Sequence, residues 1–192
     1  MRWIATRLAG FAFLCAVATH GVAGQTVPVR NSAKPPENGA SNLSREIHHQ
    51  ILVLPFYSVF DSINFTLEGR KVTLTGQVLR RSLKENAEGA MRSIEGVDTV
   101  INQIEVLPAS PADDDLRRAV YRALYEDSTL ERYAVQNVPP LHIIVKNGSV
   151  ALAGSVESLS DKNLAGARAR AVPKVTAVRN DLAVHAKESA SE

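Results

Sequence analysis

The chain has 192 residues, 45% of them hydrophobic, with one Cys and a formal net charge of +2. That length holds one or two domains. A lone cysteine excludes a disulfide framework, and the near-neutral charge removes the electrostatic basis for nucleic-acid binding.

Arg2 and Arg7 precede an apolar run from Leu8 to Ala18, with small residues following at Gly21, Ala23 and Gly24. This pattern predicts a secretory signal over residues 1–24, and hence an exported protein. The run is short for a membrane span, so no transmembrane helix is expected in the mature chain. Cys15 follows Leu14, where lipidation wants a small residue, so no lipid anchor is expected. Cleavage would remove Trp3 and Cys15 and bring basic and acidic residues into balance. Residues 25–43 are rich in Pro, Ser, Asn and Gly and read as a disordered tether.

A first structured unit is expected over residues 44–107. Its opening helix starts near Ser44, lines Ile47, Ile51 and Leu54 on one face, and ends before Pro55. Phe56, Tyr57, Val59 and Phe60 follow as an aromatic cluster that reads as core. Ile63, Phe65 and Leu67 alternate with polar residues in a half-buried strand. Gly69-Arg70 turns it into a second strand, Val72 to Val78. Ser82 and Glu85 read as a capping box for a helix with Leu83, Ala87, Ala90, Met91 and Ile94 on one face. Gly96 is placed to end that helix, and a last strand runs from Val97 to Val106.

Residues 108–112 read as a linker, and a second unit is expected over 113–185. Asp113, Asp114 and Asp115 suit a helix N-terminus. Leu116, Ala119, Val120, Ala123 and Leu124 form the inner face. The stretch Ser128–Pro140 is longer than its counterpart. Asn147-Gly148 then joins strands His142–Lys146 and Ser149–Val156 in a hairpin. A helix from Ser160 to Val172 and a strand from Val175 to Val184 follow, and residues 186–192 read as a disordered tail.

The second unit repeats the first at an offset of about 78 residues. Val72, Leu74, Gly76 and Val78 match Val150, Leu152, Gly154 and Val156. The match continues through Ala87 and Ala165, Val100 and Val178, and Asn102 and Asn180. Glycine weakens a strand interior, so Gly76 and Gly154 are expected where a helix crosses the sheet too closely for a Cβ. Asn102 and Asn180 stand on the apolar phase of their strands. They are expected to be hydrogen-bonded internally or to sit at a bulge.

These residues resemble tandem BON domains, bacterial modules of osmotically inducible and nodulation proteins. The carriers are the stretch Asn147–Val156, the helix with Lys162 and Ala165, Val175–Leu182, and in the first copy Gly76, Ala87, Gly96-Val97, Val100-Ile101-Asn102 and Ile104. The resemblance covers residues 44–185. It implies an α+β fold of two tandem αββαβ sandwich units, each with two helices on a three-stranded sheet. It also implies a periplasmic setting and binding of phospholipid or other envelope components.

No catalytic motif is present, so no enzyme is expected. His48-His49 are adjacent on a helix and point apart, and no metal or other cofactor is expected. The αββαβ order also occurs in nucleic-acid-binding KH modules, but these need a Gly-x-x-Gly clamp that residues 25–192 lack.

The candidate lipid or partner surface is the first helix of unit two. Tyr121 and Tyr125 lie one turn apart, flanked by Arg117, Arg118 and Arg122. Tyrosine with arginine suits an interface between apolar matter and phosphate. The competing reading packs both tyrosines under residues 128–140 or against unit one. The function expected is a non-enzymatic module binding anionic phospholipid or an envelope protein. A stress-related chaperone or holdase, which needs exposed apolar surface, is the alternative.

Overall fold

The computed structural model describes residues 37–135 and 139–185. The expected signal over 1–24, the start of the tether and the tail 186–192 lie outside these residues. Unit one comprises α1 (Glu37–Leu52), β1 (Ser62–Glu68), β2 (Lys71–Val78), α2 (Arg81–Arg92), β3 (Thr99–Asn102) and β4 (Glu105–Val106). Unit two comprises α3 (Pro111–Tyr125), β5 (Leu141–Lys146), β6 (Ser149–Val156), α4 (Leu159–Ala171), β7 (Ala177–Asn180) and β8 (Ala183–Val184). A 3-10 turn, Glu131–Tyr133, lies between α3 and β5. The fold is α+β, one αββαβ plan written twice.

In each unit the hairpin strands are antiparallel and the closing strand runs parallel to the middle one. The expected continuous closing strand is broken into β3 and β4, and likewise into β7 and β8. The shared asparagines account for the break. Asn102 Nδ2 donates to the Lys84 carbonyl at 2.9 Å, and its Oδ1 accepts from Ile104 N at 3.2 Å. Asn180 does the same with Lys162, at 2.7 Å, and with Leu182 N, at 3.4 Å. Each amide ties its helix to the strand and replaces ladder bonds lost at the break. Ile104 and Leu182 then turn into the core.

Gly76 and Gly154 meet a different neighbour from the one expected. A Cβ on Gly76 would lie 2.0 Å from the Ser62 carbonyl oxygen, and one on Gly154 would lie 2.0 Å from that of Pro140. The close approach is made by the backbone of β1 at Gly76 and of the residue leading into β5 at Gly154, not by a helix. Both glycines also take positive φ, +119° and +97°.

Four local expectations need correction. First, α1 starts at Glu37, inside the expected tether, because Leu43 adds an earlier rung to the Ile47–Ile51 face and packs near Gly96. Second, Ser82 makes no capping bond. Helix α2 starts after Arg80, whose side chain caps nothing. In unit two the corresponding residue is Ser158, which accepts from Asp161 N. Third, the aromatic cluster divides. Val59 is buried, but Phe56 is 67% exposed at φ +68° and lies under the Arg80 guanidinium. Fourth, the linker is shorter than expected, since Leu107 is buried and Pro111 is already the first residue of α3.

Each unit has its own apolar core. Ile47, Ile51, Val72, Leu74, Leu83 and Met91 centre the first, and Val120, Leu124, Ile143, Val150, Leu152 and Ala165 the second. Val59 precedes β1 in the chain yet belongs to the second core, with Phe60 packed against it. The extra stretch of unit two contributes Leu130 and Tyr133.

Candidate functional site

The residues expected on one surface of α3 separate into buried and exposed sets. Arg117 and Tyr125 are buried. Arg117 Nη2 donates to the Val145 carbonyl at 2.7 Å, and its other terminal nitrogen pairs with Asp114. Tyr125 donates its hydroxyl to the Leu141 carbonyl at 2.7 Å, and burial raises its pKa. These two residues are thereby removed from any outward-facing patch. Arg118 is exposed and paired with Asp115. Tyr121 keeps an exposed edge, with its ring 6.0 Å from Phe60 and 4.8 Å from Tyr125. Arg122 is exposed and, with Arg168, flanks a shallow groove of about 290 Å³ floored by Ala119, Ala123, Ala171, Val172 and Pro173.

The buried pair has a common purpose. Asp181 N donates to the Leu152 carbonyl, so Leu152 turns its backbone groups toward the closing strand. Its antiparallel partner Ile143 then sits in a non-hydrogen-bonded pair and turns its own groups outward, as do Leu141 and Val145. Tyr125 caps Leu141, Arg117 caps Val145, and Ile143 N donates to the Val59 carbonyl at 2.7 Å. Each outward-facing residue of β5, Leu141, Ile143 and Val145, thus has one backbone group capped.

The Val59–Ile143 bond also begins a seam between the units. Tyr57 and His142 meet across it with ring centroids 5.5 Å apart, and Lys146 pairs with Glu105 at 2.5 Å. Buried Asp61 shapes the segment before β1, accepting from Ser58 N, Ser58 Oγ and Leu79 N. Burial lowers the His142 pKa. The Ser58 and Asp61 backbone and the Asp61 charge oppose that without reversing it. Burial pushes the Tyr57 phenol up to about 12, so it stays protonated and can donate.

Beside the seam opens a cleft of about 410 Å³. Its walls include His48, Ile51, Leu52 and Tyr57 from unit one and Pro139, Pro140 and His142 from unit two. Sequence reasoning missed this cleft. The one signal for it was the Phe56–Phe60 cluster, which sits between elements of unit one but serves both units.

Among the described residues no group of three or more His, Cys, Asp or Glu comes together to hold a metal ion. No helix among them is long and apolar enough to cross a membrane.

The repeated fold agrees with the family comparison. The BON domain family matches residues 56–108 and 112–186. The chain belongs to the BON-domain family. BON domains in general are non-catalytic binding modules. No curated protein matches the chain. Among solved structures, CdsD, a structural protein of the type III secretion system of Chlamydia trachomatis, is similar at 12% identity and a TM-score of 0.31. That match covers 77% of this chain and 94% of the other. The C-terminal domain of CdsD gives 13% identity and a TM-score of 0.27, over 75% and 98%.

Proposed function

We propose that this tandem BON protein is a non-enzymatic binding module of the periplasm, acting at the cell envelope on anionic phospholipid. The observation that supports this reading is the groove between α3 and α4. Its floor is apolar, and Arg122 on its rim has no carboxylate partner among the described residues. Arg168 on the same rim is paired with Asp127 at 2.5 Å, which leaves Arg122 as the charge free for phosphate. Tyr121 and Arg118 extend the surface along α3. A basic side chain near an anionic membrane contributes about 1 kcal/mol.

The test is co-sedimentation with vesicles of phosphatidylglycerol and phosphatidylcholine, against phosphatidylcholine alone. Binding is expected only to the anionic vesicles and should weaken at high salt. Arg122→Glu should reduce it by about tenfold, since it replaces attraction with repulsion. Equal binding to neutral vesicles, or undiminished binding by Arg122→Glu, would contradict the reading. Suppression of client aggregation without vesicle binding would favour a holdase instead.

A further inference from the structure

The capping on β5 has only a partial counterpart on β1, at Ile63. Gln103 N donates to the Leu74 carbonyl at 2.8 Å, so Leu74 faces β3 and its partner Phe65 turns its backbone groups outward. The same parity applies to Ile63 and Leu67. Ile63 N reaches the Tyr57 hydroxyl at 3.4 Å. The outward groups of Phe65 and Leu67 have no partner among the described residues. When the first helices are aligned in sequence through Ile51 and Val120, Arg117 corresponds to His48, and Tyr125 to Phe56, which lies beyond the end of α1. His48 is exposed and makes no such bond, and Phe56 has no hydroxyl to give.

The edge opens into the seam cleft as far as Phe65, and Leu67 continues it just beyond. Ser62, Ile63, Asn64 and Phe65 all line it. Consecutive strand residues point to opposite faces, so a wall made of four in a row is the strand's backbone edge. The cleft continues the line of edge pairing that Val59 and Ile143 begin. We propose that β1 receives an extended peptide segment of a partner protein here, added as a further strand of the first sheet.

The chemistry of the occupant follows from the walls. Its backbone would pair with the N–H and C=O groups of Phe65 and Leu67. Its alternate side chains would lie beside Ile63 and Phe65, against Ile51 and Leu52, so they should be apolar. The intervening side chains face solvent and should be polar. The inference concerns a different face from the α3–α4 groove and stands whether or not vesicles bind.

A short peptide of alternating threonine and valine, with lysine at each end, is the probe. It is titrated into the full chain while amide exchange is followed residue by residue. Binding with slowed exchange at Phe65 and Leu67 is expected. Leu67→Pro removes an outward N–H and no ladder bond, so it should weaken binding by about tenfold. His48→Arg supplies the donor that Arg117 provides in unit two, and should weaken binding similarly without touching β1. If Leu67→Pro fails to fold, His48→Arg carries the test. Unchanged exchange at both amides under saturating peptide, or full binding by His48→Arg, would overturn the proposal. So would slowing of the same amides by anionic vesicles but not by peptide.

Discussion

Gly154→Ala should destabilise the protein by about 3 kcal/mol or more, and Gly76→Ala by a similar amount. Two costs coincide at each position. A non-glycine residue at this φ carries strain of about 1–3 kcal/mol. Its Cβ would also stand 2.0 Å from a backbone oxygen of Ser62 or Pro140, where no side-chain rotation can relieve the clash. Moving the strand would disturb β1 or β5 beside the seam, and overpacking of this kind costs about 1–3 kcal/mol. Gly89 in α2 provides the control. Nothing lies within 4 Å of its Cβ position and its φ is helical, so Gly89→Ala should gain up to about 1 kcal/mol. Urea unfolding of the three variants decides the matter. Loss of stability no greater at Gly154 than at Gly89 would remove the close-approach argument.

Asp161→Ala should cost about 2–3 kcal/mol. Its buried carboxylate accepts from Ser158 Oγ at 2.8 Å, from Tyr133 Oη at 2.9 Å and from Arg132 Nη2 at 2.6 Å. It thereby pins the extra stretch of unit two to the first turn of α4. Tyr133 Oη also accepts from Glu157 N at 2.9 Å, so the bonds form a connected set. Truncation leaves the buried Tyr133 hydroxyl without its acceptor. Burial alone would raise the Asp161 pKa, but the bonds from Ser158 and Tyr133 and the Arg132 charge hold it below the usual 3.8. A depressed folded pKa contributes stability that is complete above the unfolded value and disappears as pH falls through the folded one. Wild-type stability should therefore fall below about pH 4 more steeply than that of Asp161→Ala. Parallel acid profiles for the two proteins would contradict this. Unit one has Arg80 and Leu83 at the positions of Ser158 and Asp161, so it lacks the device.

The order of elements was legible because burial imposes a period on the sequence. Ile47 and Ile51 in α1, Val72 and Leu74 in β2, and Leu116, Val120 and Leu124 in α3 carry it without interruption. The shared asparagines were legible for a related reason, since an amide on an apolar phase must be satisfied inside the fold. The glycines were legible as a need for space, but not as to what fills it. A strand's neighbour across a backbone contact leaves no mark in the sequence of either strand.

The α3 surface was least legible. Arg117 and Tyr125 look like outward residues on a helix read alone. Their burial comes from the way α3 lies along the edge of β5, which turns a neighbouring stripe of the helix toward open carbonyl groups. That relation is tertiary, and composition alone cannot report it. The same holds for Val59, which follows one helix in the chain but completes the core of the other unit. Once the edge is recognised, the difference between His48 and Arg117 becomes informative, because it separates an open strand from a capped one.

Residue-resolved amide hydrogen exchange on the unliganded full chain tests this asymmetry most directly. The outward amide of Ile143, bonded to Val59, should exchange slowly, while those of Phe65 and Leu67, at the corresponding edge of unit one, should exchange rapidly. The inward amides of Asn64 and Thr66 should be slow, which would show that β1 itself is formed. Phe65 and Leu67 amides as protected as that of Ile143 would contradict the account, because the edge of β1 would then already be paired.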